Sequence, residues 1–181
     1  TGRAGYGEKL LPLCRQWDVR LIVLTHGHLD HVQNAAFLSQ QLEVPIAMHR
    51  SDLELLEDND CQPMQAHRRL GRLIQSLSRR GFQDTLLPPF QPDLYLEDGD
   101  DLSHFGVNAQ VVALPGHTAG SIGLKTEDGA LLVGDAMFRL FSPAPALVYA
   151  DRRQMEDSVA KIWALHPTAL YFGHGRPAQG L

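Results

Sequence analysis

The chain is poor in residues that would cross-link it or anchor it in lipid. Only two of its 181 residues are cysteine, Cys14 and Cys61. That count excludes a disulfide framework and leaves both thiols to pack as small hydrophobes, which fits a reducing, cytoplasmic setting. No apolar run reaches the roughly 18 residues that a membrane-spanning helix needs. No signal peptide is legible, and the sequence opens on Thr1-Gly2-Arg3 rather than Met. Internal repeats, long linkers and low-complexity segments are absent. A surplus of positive charge is missing too: the net charge of −5 argues against a general nucleic-acid binder. Residues 61 to 83 contain no Asp or Glu but hold Arg68, Arg69, Arg72, Arg79 and Arg80. A solvated helix face is the default reading of that stretch, ahead of phosphate contact.

What is present is an ordinary globular composition, 44% apolar and 20% charged, at a length suited to one domain. Leu10, Leu11, Cys14 and Trp17 fall at helical spacing, so residues 6 to 17 are read as an amphipathic helix. Val19 to Leu24 reads as a buried strand. A helix is expected from His31 to about Leu42, with Asp30 able to cap it, and Pro45 to Met48 reads as a short strand. Ser51 and Glu54 have the spacing of a capping box. Residues 50 to 92 read as a helical insertion, with Leu70, Leu73, Ile74 and Leu77 on one face and Pro88, Pro89 and Pro92 ending it. Strand patterns follow at 94–96, 109–114, 121–126 and 130–133, with Asp128-Gly129 as a hairpin turn. Asp151 to Leu165 reads as a helix with Met155, Val159, Ile162 and Trp163 as its stripe and Asp151 with Gln154 as a capping pair. Ala169 to Phe172 is the last strand. Such an alternation implies an α/β layer architecture.

One pattern recurs four times. Leu21 to Leu24 runs into His26, His28, Asp30 and His31; Val111 to Leu114 into Pro115-Gly116-His117; Leu131 to Val133 into Gly134-Asp135; Leu170 to Phe172 into Gly173-His174. Each apolar strand delivers metal-capable side chains just past its C-terminal end, the edge where open α/β sheets build their sites. Imidazoles and carboxylates without a thiolate suit Zn²⁺ and tolerate Fe or Mn.

The motif His26-x-His28-x-Asp30-His31 followed in order by His117, Asp135 and His174 resembles the metallo-β-lactamase-fold hydrolase superfamily over nearly the whole chain. The resemblance implies a single four-layer αββα sandwich across residues 1–181. It also implies that β-strands and an Asp-x-Gly motif come before the first helix. Thr1-Gly2 looks like the tail of that motif, so the N-terminal strands are expected to be missing. It implies one metal on His26, His28 and His117, a second on Asp30, His31 and His174, and Asp135 bridging both. Two dications there would attract a polarised carbonyl or anionic small-molecule substrate and lower the pKa of bound water to about 7, so no serine or cysteine nucleophile is required. Asp30 and Asp135 are the expected catalytic carboxylates.

Among branches, His28 in place of Glu argues against the flavodiiron type, and His31 in place of Arg against one lactamase type. Pro115 to Ser121 and Gly173 to Pro177 resemble the glyoxalase II-like pattern, whereas Val32-Gln33-Asn34 departs from it and the short tail leaves no room for that branch's helical substrate domain. A dinuclear hydrolase of a thioester, ester or lactone is therefore favoured. A persulfide dioxygenase-like oxidoreductase with one iron on His26, His117 and Asp135 stays open, as does a non-catalytic metal-binding fragment. Thr25 and Thr118 are candidates to support the ligands by hydrogen bonds. Met137, Phe138 and the loop 142–145 are candidates for the pocket rim, and Arg176 for an anionic substrate group. His49 is expected to pack structurally, and His67, His104 and His166 to sit at the surface or cap.

Overall fold

The structure is a computed structural model and describes residues 1–3, 5–67, 71–73, 76 and 87–180. Among the elements whose bounds are described, the helices in chain order are α1 (Gly7–Gln16), α2 (Leu29–Val32), α3 (Ala35–Leu42) and α4 (Arg152–Ala164). Two 3₁₀ segments are η1 (Arg50–Leu56) and η2 (Ser103–Phe105). The strands are β1 (Ile22–Val23), β2 (Ile46–Met48), β3 (Gln65–Ala66), β4 (Leu94–Tyr95), β5 (Ala109–Ala113) and β6 (Ile122–Thr126). After them come β7 (Ala130–Gly134), β8 (Met137–Arg139), β9 (Pro143–Pro145), β10 (Val148–Tyr149), β11 (Ala169–Phe172) and β12 (Ala178–Gln179).

Two sheets carry the fold. One is parallel, in the order β1-β2-β4; the other has five strands in the order β12-β11-β7-β6-β5. Strand alternation sorts their side chains into three cores. Ile22, Leu24, Ile46 and Met48 pack with Leu11, Val32, Ala35 and Leu38 of the first helices. From the opposite face, Val23 and Ala47 meet Val111, Ile122 and Leu124 of the second sheet. That sheet's outer face, Val112, Leu131, Val133 and Leu170, is covered by Ile162 of α4. Helices, sheet, sheet and helix thus form four layers, the αββα order expected from the resemblance.

The topology also explains why the strand ends converge. β5 and β7 each run antiparallel to β6, and β11 runs parallel to β7. β5, β7 and β11 therefore point the same way, and the loops after them open at one edge. The first sheet joins them there through Ile122 N–H, which donates to Thr25 O at 2.8 Å.

Several local expectations need correcting. The strand at 19–24 shortens to β1. The helix expected from His31 breaks into α2 and α3 at Gln33-Asn34, because Asn34 is buried and its side chain bonds across to residues 1–3 and 7. Asp30 does not cap: His28 holds the N-cap position of α2, and Asp30 sits in its first turn. The cap of η1 is His49, whose Nδ1 accepts from Ser51 N–H at 3.1 Å, so Ser51 is the capped residue rather than the cap. His49 also faces Glu97, which is more than packing. Trp17 and Trp163 are 73% and 41% exposed and leave the stripes they were assigned to, Leu11, Met155, Ser158 and Ile162 being the buried members.

Within 50–92, the described residues include η1, then β3, which pairs with β10, and helical positions at 71–73 and 76. Leu73 of the expected apolar face is exposed. Leu70, Ile74 and Leu77 lie outside the described residues. Asp151 caps α4 as expected, its Oδ1 accepting from Gln154 N–H at 3.0 Å. Among the described residues no helix is long and apolar enough to cross a membrane.

Candidate metal centre

All seven side chains singled out at the strand ends meet at the common edge. Three groups have ligand atoms within 4.8 Å of one another: His26, His28 and His117; Asp30, His31 and His174; and His26, His31 and Asp135, which spans the other two. Asp135 Oδ2 is the shared centre, 3.3 Å from His174 Nε2, 3.5 Å from His31 Nε2 and 3.7 Å from His117 Nε2. His28 Nδ1 faces His117 Nε2 at 3.0 Å, and His31 Nε2 faces His174 Nε2 at 3.3 Å. His174 Nε2 also lies 3.2 Å from Asp30 Oδ2.

The outward ring nitrogens explain which atoms turn inward. His117 Nδ1 lies 2.8 Å from the carbonyl of Val148, to which Nδ1–H donates, leaving the Nε2 lone pair to the site. Thr25 Oγ1 lies 3.1 Å from His26 Nδ1 and does the same for His26 Nε2. That Nε2 and Asp135 Oδ1 are buried with no hydrogen-bond partner among the described residues. Two orphaned polar atoms in one cluster are costly unless something else satisfies them, and a cation fits both. Burial, then the nearby charge of His31, holds His26 well below the usual imidazole range, and burial with His117 lowers His28 to about 3. Both are therefore neutral and free to coordinate near pH 7. Burial works against charge on Asp135, but hydrogen bonds from His174 and His31 outweigh it and hold the carboxyl well below the carboxylate range. The bonds to Asp135 and Asp30 raise His174 to about 10. The two carboxylates thus draw positive charge to this end of the cluster.

Glycines let the loops approach closely. A Cβ at Gly173 would meet Asp135 Oδ1 and His31 Cε1, and one at Gly116, whose φ is +131°, would enter the backbone of Met155. The centre is graded in exposure: His26 is buried, whereas the His174 side chain is 54% exposed. A cavity of about 630 Å³ opens there, and Asp30, His31, His174, Tyr6 and Tyr171 are among its lining residues.

The supporting candidates divide. Thr25 touches His26. Thr118 is fully buried but bonds to Asp52 Oδ2 at 2.7 Å, not to a ligand. Phe138 is half-buried and Arg176 exposed; the bridge between Arg139 and Gly175 places their backbones beside each other near His174. His104 and His166 are exposed, as expected. Asp52, Asn59 and Asn34 escaped sequence reasoning. Asp52 did carry a signal: at three-residue spacing it shares the buried face of η1 with Leu55, an acid where a hydrophobe would be ordinary.

Comparison with known proteins agrees with this fold. The model of the metallo-beta-lactamase superfamily matches residues 1–174. The chain is 28% identical over 180 residues to the probable metallo-hydrolase YflN of Bacillus subtilis, covering 91% of this chain and 67% of that protein. It is 33% identical over 140 residues to the hydroxyacylglutathione hydrolase GloC of Haemophilus influenzae, covering 75% of this chain and 58% of the relative. The chain thus spans between about half and two thirds of the length of the curated relatives it matches. Among solved structures, TTHA1623 in a di-iron-bound form superposes with a TM-score of 0.70 at 30% identity, over 95% of this chain and 79% of that one. The B3 metallo-beta-lactamase BLEG-1 superposes at 0.73 and 22% identity, over 96% and 79%, a likeness of fold alone. With its layers, its converging strand ends and this match over nearly its whole length, the chain belongs to the metallo-beta-lactamase superfamily.

Proposed function

We propose that this chain is a dinuclear metal-dependent hydrolase of a small carbonyl substrate, a thioester before an ester or lactone. The observation that carries the reading is the pair of orphaned buried atoms, His26 Nε2 and Asp135 Oδ1, inside a cluster where Asp135 Oδ2 faces imidazoles of both triads. His26, His28 and His117 would hold one ion, Asp30, His31 and His174 the other, and Asp135 would join them. Zn²⁺ suits this nitrogen and oxygen set, with Fe or Mn tolerated. When bound, such a pair supplies an activated water as nucleophile and positive charge for a developing oxyanion.

The chain's own residues do the rest. Val148 O and Thr25 Oγ1 hold His117 and His26 with their inward nitrogens aimed at the site. Asp30, half-buried and 3.2 Å from His174, would orient water or accept a proton at the open half. The buried half excludes solvent, and the cavity at His174 admits substrate. Phe138 and Arg176, each next to a member of the Arg139–Gly175 bridge, are the proposed contacts for substrate, Arg176 for an anionic group. Support for a thioester comes from the hydroxyacylglutathione hydrolase relative, and for two ions from the di-iron-bound neighbour.

Metal analysis of the purified protein together with an activity screen over thioesters, lactones, phosphodiesters and β-lactams tests the reading. Two divalent ions per chain and chelator-sensitive thioester or lactone hydrolysis are expected, with Asp135→Ala losing both ions and activity. One iron per chain with oxygen consumption on a persulfide would replace the hydrolase by the oxygenase reading.

A further inference from the structure

Asp52 lies outside the seven-residue cluster and is 0% exposed. A buried carboxylate is costly unless fully hydrogen-bonded, and four donors surround this one. Its Oδ2 accepts from Gly27 N–H at 2.9 Å and from Thr118 Oγ1–H at 2.7 Å. Its Oδ1 accepts from Gly120 N–H at 2.7 Å and from Gln62 Nε2–H at 3.2 Å. Gly27 is the residue between His26 and His28, and Thr118 follows His117. One carboxylate therefore grips the two loops that carry His26, His28 and His117, which arise in different sheets. The grip is close: a Cβ at Gly27 would lie 2.9 Å from Asp52 O, and one at Gly120 would lie 2.8 Å from Asp52 Oδ1. Asn59 secures the first loop from the same segment, donating to Gly27 O at 3.0 Å and accepting from Leu29 N–H at 3.3 Å.

No comparable bond runs from Asp52 to the Asp30, His31 and His174 half among the described residues. The effect of Asp52 is thus local to one triad. We infer that Asp52 is a positioning residue that sets the spacing of His26 and His28 against His117 and so tunes the affinity of that half of the centre for its ion. This rests on the two-ion reading above. A carboxylate is needed because both oxygens face donors; an amide would turn one NH₂ group toward an N–H or a hydroxyl.

The test is two-step chelator competition with Zn²⁺ on the full chain, alongside the melting temperature of the metal-free protein. Asp52→Asn is expected to weaken one ion by at least about tenfold and the other by less than about threefold, the range found for groups that orient ligands. The weakened ion is the one lost in His28→Ala and kept in His174→Ala. Thr118→Val, which removes one of the four donors, gives a smaller loss of the same ion, and Thr118→Ser restores it. Unchanged affinities in folded Asp52→Asn, or equal weakening of both ions, overturn the inference while leaving the two-ion reading intact. If Asp52→Asn does not fold, Thr118→Val decides by the same criterion. Wild-type protein that binds fewer than two ions overturns the two-ion reading itself.

Discussion

At the scale of single residues, the centre depends on side chains that glycine leaves room for. Gly173 shows it best, since its missing Cβ leaves the room that Asp135 Oδ1 and His31 use. Gly173→Ala is expected to displace Asp135, lowering hydrolysis by about 10²-fold, the usual effect of misplacing a reacting group by about 1 Å. Circular dichroism should be unchanged, because the methyl meets site side chains rather than core. A second prediction concerns acid. His28 is lowered to about 3 in the folded, metal-free chain, against about 6.5 unfolded. The unfolded state therefore binds a proton first as pH falls. The stability that His28 contributes is present above about pH 6.5 and is lost progressively toward pH 3. Urea midpoints of chelated protein should fall over that window, and His28→Gln should flatten the fall. What was legible at this scale was what is local in sequence. His26 to His31 declare themselves within six positions. Asp52 binds groups 25, 66 and 68 residues away, and no periodicity reveals such partners.

At the scale of elements, the capping of α4 could be read directly, since Asp151 and Gln154 lie three apart and the bond between them is local. Asp151→Ala should cost about 1 kcal/mol, measured as a shift in denaturation midpoint with metal affinity unchanged. Ser51 misled because the His49 side chain, two residues earlier, accepts from the Ser51 N–H and takes the cap position. Helical spacing made Trp17 and Trp163 members of apolar stripes, but periodicity cannot say how far the neighbouring layer extends over each stripe. Gly116 joins element to site. Its φ of +131° and its closeness to Met155 let the N-terminal end of α4 sit against the His117 loop, where Ala150 N–H donates to both Gly116 O and His117 O. Gly116→Ala combines backbone strain with a clash and should cost at least about 2 kcal/mol, read by denaturant titration.

At the scale of the whole molecule, four layers enclose three cores, and the site sits where both sheets end. The layers were legible only through the resemblance, because alternation in β1, β2 and β5 to β7 does not say which face meets helix and which meets sheet. The convergence of strand ends needed the observed directions of β5, β7 and β11. Because the seven side chains come from both sheets, an ion bound among them ties the halves together. Binding free energy then adds to folding free energy. The proposed function requires that two ions are held at this edge and are needed for hydrolysis. Titrating chelator-stripped protein with Zn²⁺ while following thioester hydrolysis tests it most directly. Activity rising to a plateau at two equivalents is the predicted result; a plateau at one equivalent, or full activity without added metal, would contradict it.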